Sequence, residues 1–334
     1  MTNVIRRAAA LAGFLAVAVL LAAAVGTVAS LGARAHWFLE LFSHFRIQYL
    51  VLLVLAGVAC LLLGRRRWAV GALIFAVPNV LVVAPYLPGV TGTTAVASSP
   101  GTDKVDVPVT LLAANLLYLR YDVFATRAYF QSRSADVVVL SEFTPRWRFK
   151  LKELERRYPH VTLRPQDNPW GIAVYSKFPM LEIEDLDLGD DRSANLRVVV
   201  QTPAGPLEVY AVHLASPSSA ELALMRNTQL RLLARRIAEA GDVPRIVAGD
   251  FNLTPYSPYF GDLLRDASLV GARRPSGMNA TWPTWRLPLW IPIDHCLVGG
   301  GVAEARVVNG PDIGSDHYPI ECTIELPRPA GRST

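Results

Sequence analysis

Cysteine and charge are both scarce in this sequence. Three cysteines in 334 residues exclude a small domain built on disulfides. Charged residues make up 18% of the chain and hydrophobic ones 51%, the reverse of a disordered, highly charged protein. No GxxxxGK loop occurs, so a nucleotide-triphosphate site lacks its central device. No internal repeat is visible. The length leaves room for about two domains.

The net charge of +5 invites a nucleic-acid reading until it is located. Residues 1–100 carry seven arginines (Arg6, Arg7, Arg34, Arg46, Arg65, Arg66, Arg67) against the single acid Glu40. The remainder carries 26 basic and 27 acidic residues, so the excess belongs to the N-terminal end. Uncharged runs occupy 8–33 and 47–64, and 68–88 is strongly apolar. About 20 apolar residues cross a bilayer core, which predicts three transmembrane helices over about 8–33, 47–64 and 68–88, together a membrane anchor over residues 1–90. Pro78-Asn79 is expected to kink the third. Ala33-Arg34-Ala35 offers a signal-peptide cleavage pattern, but the preceding run is long for a signal core. Arg6-Arg7 and Arg65-Arg66-Arg67 fall on one side, which the positive-inside rule makes cytoplasmic. The 34–46 loop then lies at the outer interface, and everything after residue 90 is outside. These spans contain no acid or base of their own, so function is expected beyond them.

Residues 91–106 have the Gly, Ser, Thr and Pro composition of a linker. From 107 to 326, strand-length apolar runs recur (VPVTLLAAN, ADVVVLSEF, GIAVYS, LRVVVQT, LEVYAVHL, PRIVAGDF, IPIDHCLV, YPIECTIEL). Helices are predicted over 126–132 and 220–240, the latter stopped by Gly241. This is one α/β domain, followed by a tail at 327–334.

Polar residues end the strands. The runs close on Asn115, Glu142, His213, Asp250 with Phe251-Asn252, and Asp294-His295, and Gly314-Ser315 presents Asp316-His317 before the last strand. Such residues are costly to bury unpaired, but at strand ends they can converge on one crevice. Glu142, Asp250, Asp294, Asp316, Asn115 and Asn252 are hard oxygen donors suited to Mg2+, Mn2+ or Ca2+, and without cysteine they do not suit structural zinc. Carboxylates around a hard cation with proton-donating histidines fit water attack on phosphorus. His295, adjacent to Asp294 on a strand, should face the other way and is read as structural. Cys296 and Cys322 are read as two buried thiols, with pairing outside the cytoplasm as the alternative. Cys60 falls in the second span. Trp282, Trp285 and Trp290 are read equally as a lipid-contacting lip or as core and turn residues, and Tyr256 and Tyr259 as rim residues.

The ordered blocks Asn115, Ser141-Glu142, His213, Gly249-Asp250-Phe251-Asn252, Asp294-His295 and Gly314-Ser315-Asp316-His317 resemble the endonuclease/exonuclease/phosphatase superfamily. The resemblance implies a four-layer α/β sandwich of two mixed sheets flanked by helices. It also implies roles. Glu142 would be the principal metal ligand, Asn115 would hold the metal or its water, and Asp316 would be a second ligand or orient His317. Asp250 would orient and deprotonate the water, and Asn252 would stabilise the phosphoryl oxygens. His317, assisted by Asp294, would contact the phosphate, and His213 would bind phosphate or act near the leaving group. His213 resembles the deoxyribonuclease, sphingomyelinase and phosphatase branches rather than the apurinic-site endonucleases.

The expected function is a multi-pass cell-membrane protein with an extracytoplasmic, divalent-metal-dependent phosphohydrolase. Its partners would be the lipid bilayer and a phosphorylated lipid. Duplex DNA recognition needs several Lys and Arg contacts to phosphate, and a domain of net charge −1 favours a nuclease less. An extracytoplasmic nuclease on DNA or RNA is therefore the alternative, and a catalytically inert, membrane-anchored binding module is the alternative of another class. No protein partner is predicted.

Overall fold

The computed structural model describes residues 2–87, 107–120, 123–272, 280–285 and 287–327. The expected linker, all but the first residue of the tail, and the Arg273-Arg274 pair lie outside the described residues. The chain divides into a helical unit and a β-sandwich unit.

The helical unit holds α1 (Thr2–Leu31), α2 (Trp37–Leu41), α3 (Arg46–Leu62) and α4 (Arg66–Val83). Three stretches are long and apolar enough to cross a membrane: Asn3–Leu31, Trp37–Leu62 and Arg66–Tyr86. The second differs from expectation. The His36 ring accepts the Phe38 N–H and starts α2, and a 3-10 turn over Phe42–Phe45 continues it into α3. Glu40, His44 and Arg46 thus lie within a helical stretch rather than in an outer loop, and all three are buried. The helical stretch therefore starts ten residues before the expected second span and carries these three groups ahead of it. Arg46 Nη1 donates to Asn79 Oδ1 at 3.4 Å, and Asn79 Nδ2 donates to Thr27 Oγ1 at 2.9 Å, so polar groups tie α3, α4 and α1 together. The outward residues, among them Phe14, Leu55, Leu62, Leu73 and Leu81, are exposed and apolar.

The sandwich contains β1 (Val107–Asn115), α5 (Phe124–Ser132), β2 (Val137–Ser141), α6 (Pro145–Lys150), α7 (Leu154–Arg157), β3 (His160–Arg164), β4 (Ile172–Ser176), β5 (Met180–Asp185), β6 (Leu196–Thr202), β7 (Gly205–His213), α8 (Ala220–Ala238), β8 (Arg245–Asp250), α9 (Pro258–Asp266), β9 (Val270–Gly271), β10 (Asp294–Gly299), β11 (Glu304–Asn309) and β12 (Ile320–Leu326). One sheet runs β11-β12-β1-β2-β4-β3 and the other β5-β6-β7-β8-β10-β9. Each is antiparallel except for one parallel pair, β1 with β2 and β7 with β8.

Central strands such as β2 and β4 are buried along their whole length, as continuous apolar runs require. Val109, Val139, Val198, Val209, Ile246 and Ile324 fill the space between the sheets. Helices cover the outer faces: Leu230, Leu233 and Ile237 of α8 pack on one, and Phe130 of α5 and Trp147 of α6 on the other. The result is the expected four-layer sandwich. Ser219 Oγ accepts the Leu222 N–H to start α8, and Gly241 comes after it with φ +70°, a conformation that favours glycine.

Cys296 on β10 and Cys322 on β12 form a disulfide, which corrects the expectation of two thiols. The strands belong to facing sheets, and both side chains point into the inter-sheet core. Strand spacing along the chain carries no information about which sheet a strand joins.

Candidate active site

The two parallel pairs place four side chains at matching ends. Asn115 lies opposite Ser141 across β1 and β2, and His213 opposite Asp250 across β7 and β8. Antiparallel β10 begins there too, with Asp294 opposite Asp250. The turn before β12 supplies Asp316 and His317. Local backbone makes these placements: Glu142 and Asn252 adopt left-handed conformations, φ +56° and +49°, which turn the chain sharply off β2 and β8. Gly249 is required because a Cβ there would lie 2.0 Å from the Val212 carbonyl oxygen.

Asp250 is the hub. Its Oδ1 accepts the Asn252 N–H at 2.8 Å, and its Oδ2 accepts Asn115 Nδ2 at 3.1 Å. His213 Nε2 and His317 Nε2 each stand 3.7 Å from that same Oδ2, too far for a direct hydrogen bond and close enough to share one small oxygen ligand. His317 Nδ1 bonds Asp294 Oδ2 at 2.9 Å. Asp250, Asp294, His213 and His317 are all at most 5% exposed.

Burial pushes the Asp250 carboxyl up to about 6, with Asp294 adding to the rise and the two histidines opposing it. Burial works against a charged His317, but the Asp294 and Asp250 carboxylates outweigh it and raise the imidazole to about 10. His213 moves the other way: burial lowers it, and the Asp250 charge only offsets this. One histidine is thus held protonated and the other neutral at pH 7.

Glu142 forms a second pole. Its Oε2 accepts the Tyr118 N–H at 2.7 Å and its Oε1 accepts Asn115 Nδ2 at 3.0 Å. Burial raises its pKa, opposed by these two donors. Asn115 therefore bridges Glu142 and Asp250, while its Oδ1 accepts the Leu117 N–H. Asp316 Oδ2 accepts the Trp282 indole N–H at 3.1 Å.

Hard oxygen donors and one strongly held carboxylate fit a divalent cation. Asp250, Asp294 and His317 also offer ligand atoms within 4.8 Å of one another. In this arrangement His317 Nδ1 is bonded to Asp294 Oδ2, which leaves Nε2 as its open atom.

All eight predicted site residues gather at this end of the sandwich. His295 faces away, bonding the Leu253 carbonyl at 2.8 Å beside the Phe251 and Phe260 rings. The tryptophans divide: Trp282 orients Asp316, Trp290 packs edge-on to Tyr318, and Trp285 is 63% exposed. Sequence reasoning missed Thr281, whose hydroxyl accepts the Ile293 and Asp294 N–H groups, and Asn195, whose Oδ1 accepts the His213 N–H at 2.9 Å. Neither has a sequence signal, because both act on backbone.

A family model described as Endonuclease/Exonuclease/phosphatase family matches residues 112–317. Nocturnin of Drosophila melanogaster is 27% identical over 116 residues, 32% of this chain and 18% of that protein; the chain thus matches under a fifth of that relative. Among solved structures, a humanized D. rerio TDP2 has a TM-score of 0.53 at 19% identity, covering 65% of this chain and 98% of that one. Sphingomyelinase C from Streptomyces griseocarneus gives 0.53 at 20%, covering 65% and 99%. A protein titled endonuclease/exonuclease/phosphatase from Beutenbergia cavernae gives 0.51 at 20%, covering 66% and 72%. These likenesses show the fold.

Proposed function

Because the chain belongs to the Endonuclease/Exonuclease/phosphatase family, whose members are metal-dependent phosphoester hydrolases, we propose that it cleaves a phosphate ester or diphosphate of a membrane lipid, at the outer face of the cell membrane. The observation that carries the chemistry is the convergence of His213 and His317 on Asp250 Oδ2 at 3.7 Å each. Glu142 would hold the cation, with Asn115 orienting it and Asp316 alongside; Mg2+ suits these donors, as do Mn2+ and Ca2+. When bound, the ion supplies charge neutralisation at the phosphoryl oxygens.

Asp250 takes the proton of the attacking water, its orientation fixed by the Asn252 N–H and by Asn115. His317, kept charged by Asp294, donates from Nε2 to a phosphoryl oxygen. Neutral His213 shares a proton with the leaving group or a second phosphoryl oxygen. The Asn252 amide spends one proton on the Leu214 carbonyl at 2.9 Å, and its second would serve the phosphoryl group.

Three apolar stretches of spanning length precede the sandwich, and the positive-inside rule puts the sandwich outside. The Cys296–Cys322 disulfide agrees with an oxidising compartment. The near-neutral charge of residues 101–334 favours a lipid phosphate over duplex DNA, whose binding needs several Lys and Arg contacts.

Full-length protein in liposomes with Mg2+ tests the reading against a prenyl diphosphate, a phospholipid and DNA. Phosphate or headgroup release from a lipid, absent in Asp250→Ala, is the expected result. Cleavage of DNA alone would overturn the lipid substrate, and equal activity in Asp250→Ala the mechanism.

A further inference from the structure

The inner face of α8 changes character along its length. Leu230, Leu233 and Ile237 form an apolar stripe on the sheet, yet the preceding part of that buried face carries Arg226 and Gln229, each 0% exposed. A buried guanidinium is costly unless its donors are met, and leucines would serve packing as well at both positions. The polar pair lies where α8 passes the ends of β7 and β8.

Each side chain reaches the backbone just beyond a strand end. Arg226 Nη1 donates to the Asn252 carbonyl at 3.2 Å, its Nε donates to Asn227 Oδ1 at 2.9 Å, and its guanidinium stands 5.9 Å from the Tyr259 ring centre. Tyr259, expected at the rim, is therefore part of this support. Gln229 Oε1 accepts the Ala215 N–H at 2.8 Å, and its Nε2 donates to Ser193 Oγ at 2.8 Å. Ser193 Oγ also accepts Asn195 Nδ2 at 3.2 Å, and Asn195 holds the His213 N–H. Asn252 sits at φ +49°, a left-handed conformation that asparagine tolerates better than most residues, and Arg226 holds the carbonyl of that same turn.

We propose that Arg226 and Gln229 are positioning residues: Arg226 fixes the left-handed turn at Asn252, and Gln229 fixes the segment following His213. This rests on the roles assigned above to Asn252 and His213. Arg226 and Gln229 are fully buried and bond the backbone beyond the strand ends, so they act through the residues they hold. A misplacement of about 1 Å at such a site costs on the order of 100-fold in rate, so the pair matters through geometry.

The test uses full-length protein, Mg2+ and bis(p-nitrophenyl) phosphate as a generic phosphodiester probe, with hydrogen exchange read over residues 250–254. In Arg226→Met, exchange there is expected to quicken at least about tenfold, and kcat to fall about 10- to 100-fold with KM nearly unchanged. Arg226→Lys should restore part of both. In an Asn252→Ala background, Arg226→Met should cost kcat little more, because the first change has removed what the second positions. Unchanged exchange in Arg226→Met, or a kcat loss repeated in full on Asn252→Ala, would overturn the proposal. Should Arg226→Met fail to fold, Arg226→Lys carries the same comparison. The exchange result does not depend on chemistry, so a protein inert on phosphoesters would sink the proposed function while exchange still decided this inference.

Discussion

In one sheet the parallel pair β1 and β2 ends on Asn115 and Ser141; in the other, β7 and β8 end on His213 and Asp250. The surroundings match strand for strand. Each parallel pair is flanked by antiparallel neighbours, and each sheet carries six strands in corresponding order. No repeat is visible in the sequence, yet the topology repeats. The chemistry does not. The first sheet sets its acid one residue beyond the strand, at Glu142, whereas the second keeps its acid on the strand and turns out Asn252 next. In the mechanism proposed above, Glu142 and Asn115 of the first sheet would hold the cation, and Asp250 and His213 of the second would handle protons together with His317, which comes from the turn before β12 of the first sheet. Asn115 is the bridge, bonding Glu142 and Asp250 with one amide nitrogen.

This division can be broken most directly at Asp250. Asp250→Asn should lower kcat by about 10³-fold at any Mg2+ concentration, since general bases contribute on the order of 10² to 10⁴; rescue by added Mg2+ in steady-state kinetics would contradict the split. Glu142→Gln should behave in the opposite way. It is expected to raise the Mg2+ concentration for half-maximal rate by at least about tenfold, as lost metal contacts do, with partial recovery at saturating ion.

The sheets are also joined covalently, and that join can be cut. Replacing Cys296 and Cys322 together with alanine opens a crosslink spanning 26 residues of sequence. The loop-entropy relation assigns it about 3 to 4 kcal/mol, or a melting temperature lower by about 10 °C for a domain of this size, measurable by calorimetry.

The smallest effect separates the histidines. In metal-free protein, NMR titration should find His317 protonated through neutral pH, releasing its proton near about 10, and His213 neutral with a pKa below the usual histidine value. Asp294→Asn should lower the His317 value, because the Asp294 carboxylate is its largest support. An unmoved His317 would show that the dyad does not hold the charge.

Most of the sandwich was legible for a physical reason. Central strands are buried on both faces, as β2 is, or on one, as β12 is, so eight of them stand out in the sequence as continuous or alternating apolar runs. Strands β3, β5, β9 and β11 did not, because edge strands are half exposed and mix polar with apolar residues, as in the pattern of β5. The candidate site was legible through the polar groups that end such runs, as Asp250 does after Ile246-Val247-Ala248-Gly249, since such groups are costly to bury unpaired. The roles of Trp282, Thr281 and Asn195 were not legible, because each acts through hydrogen bonds to residues well separated in sequence.

Sequence alone thus determined where apolar spans and buried strands run, and which side chains could do metal and phosphate chemistry, because composition and period express burial directly. Tertiary structure decided which sheet each strand joined, that Cys296 and Cys322 meet across the core, that Glu40, His44 and Arg46 fall inside a helical stretch, and that burial and neighbouring carboxylates push His213 and His317 in opposite directions from the ordinary histidine value. Those outcomes depend on distances between residues far apart in the chain, which no local pattern encodes.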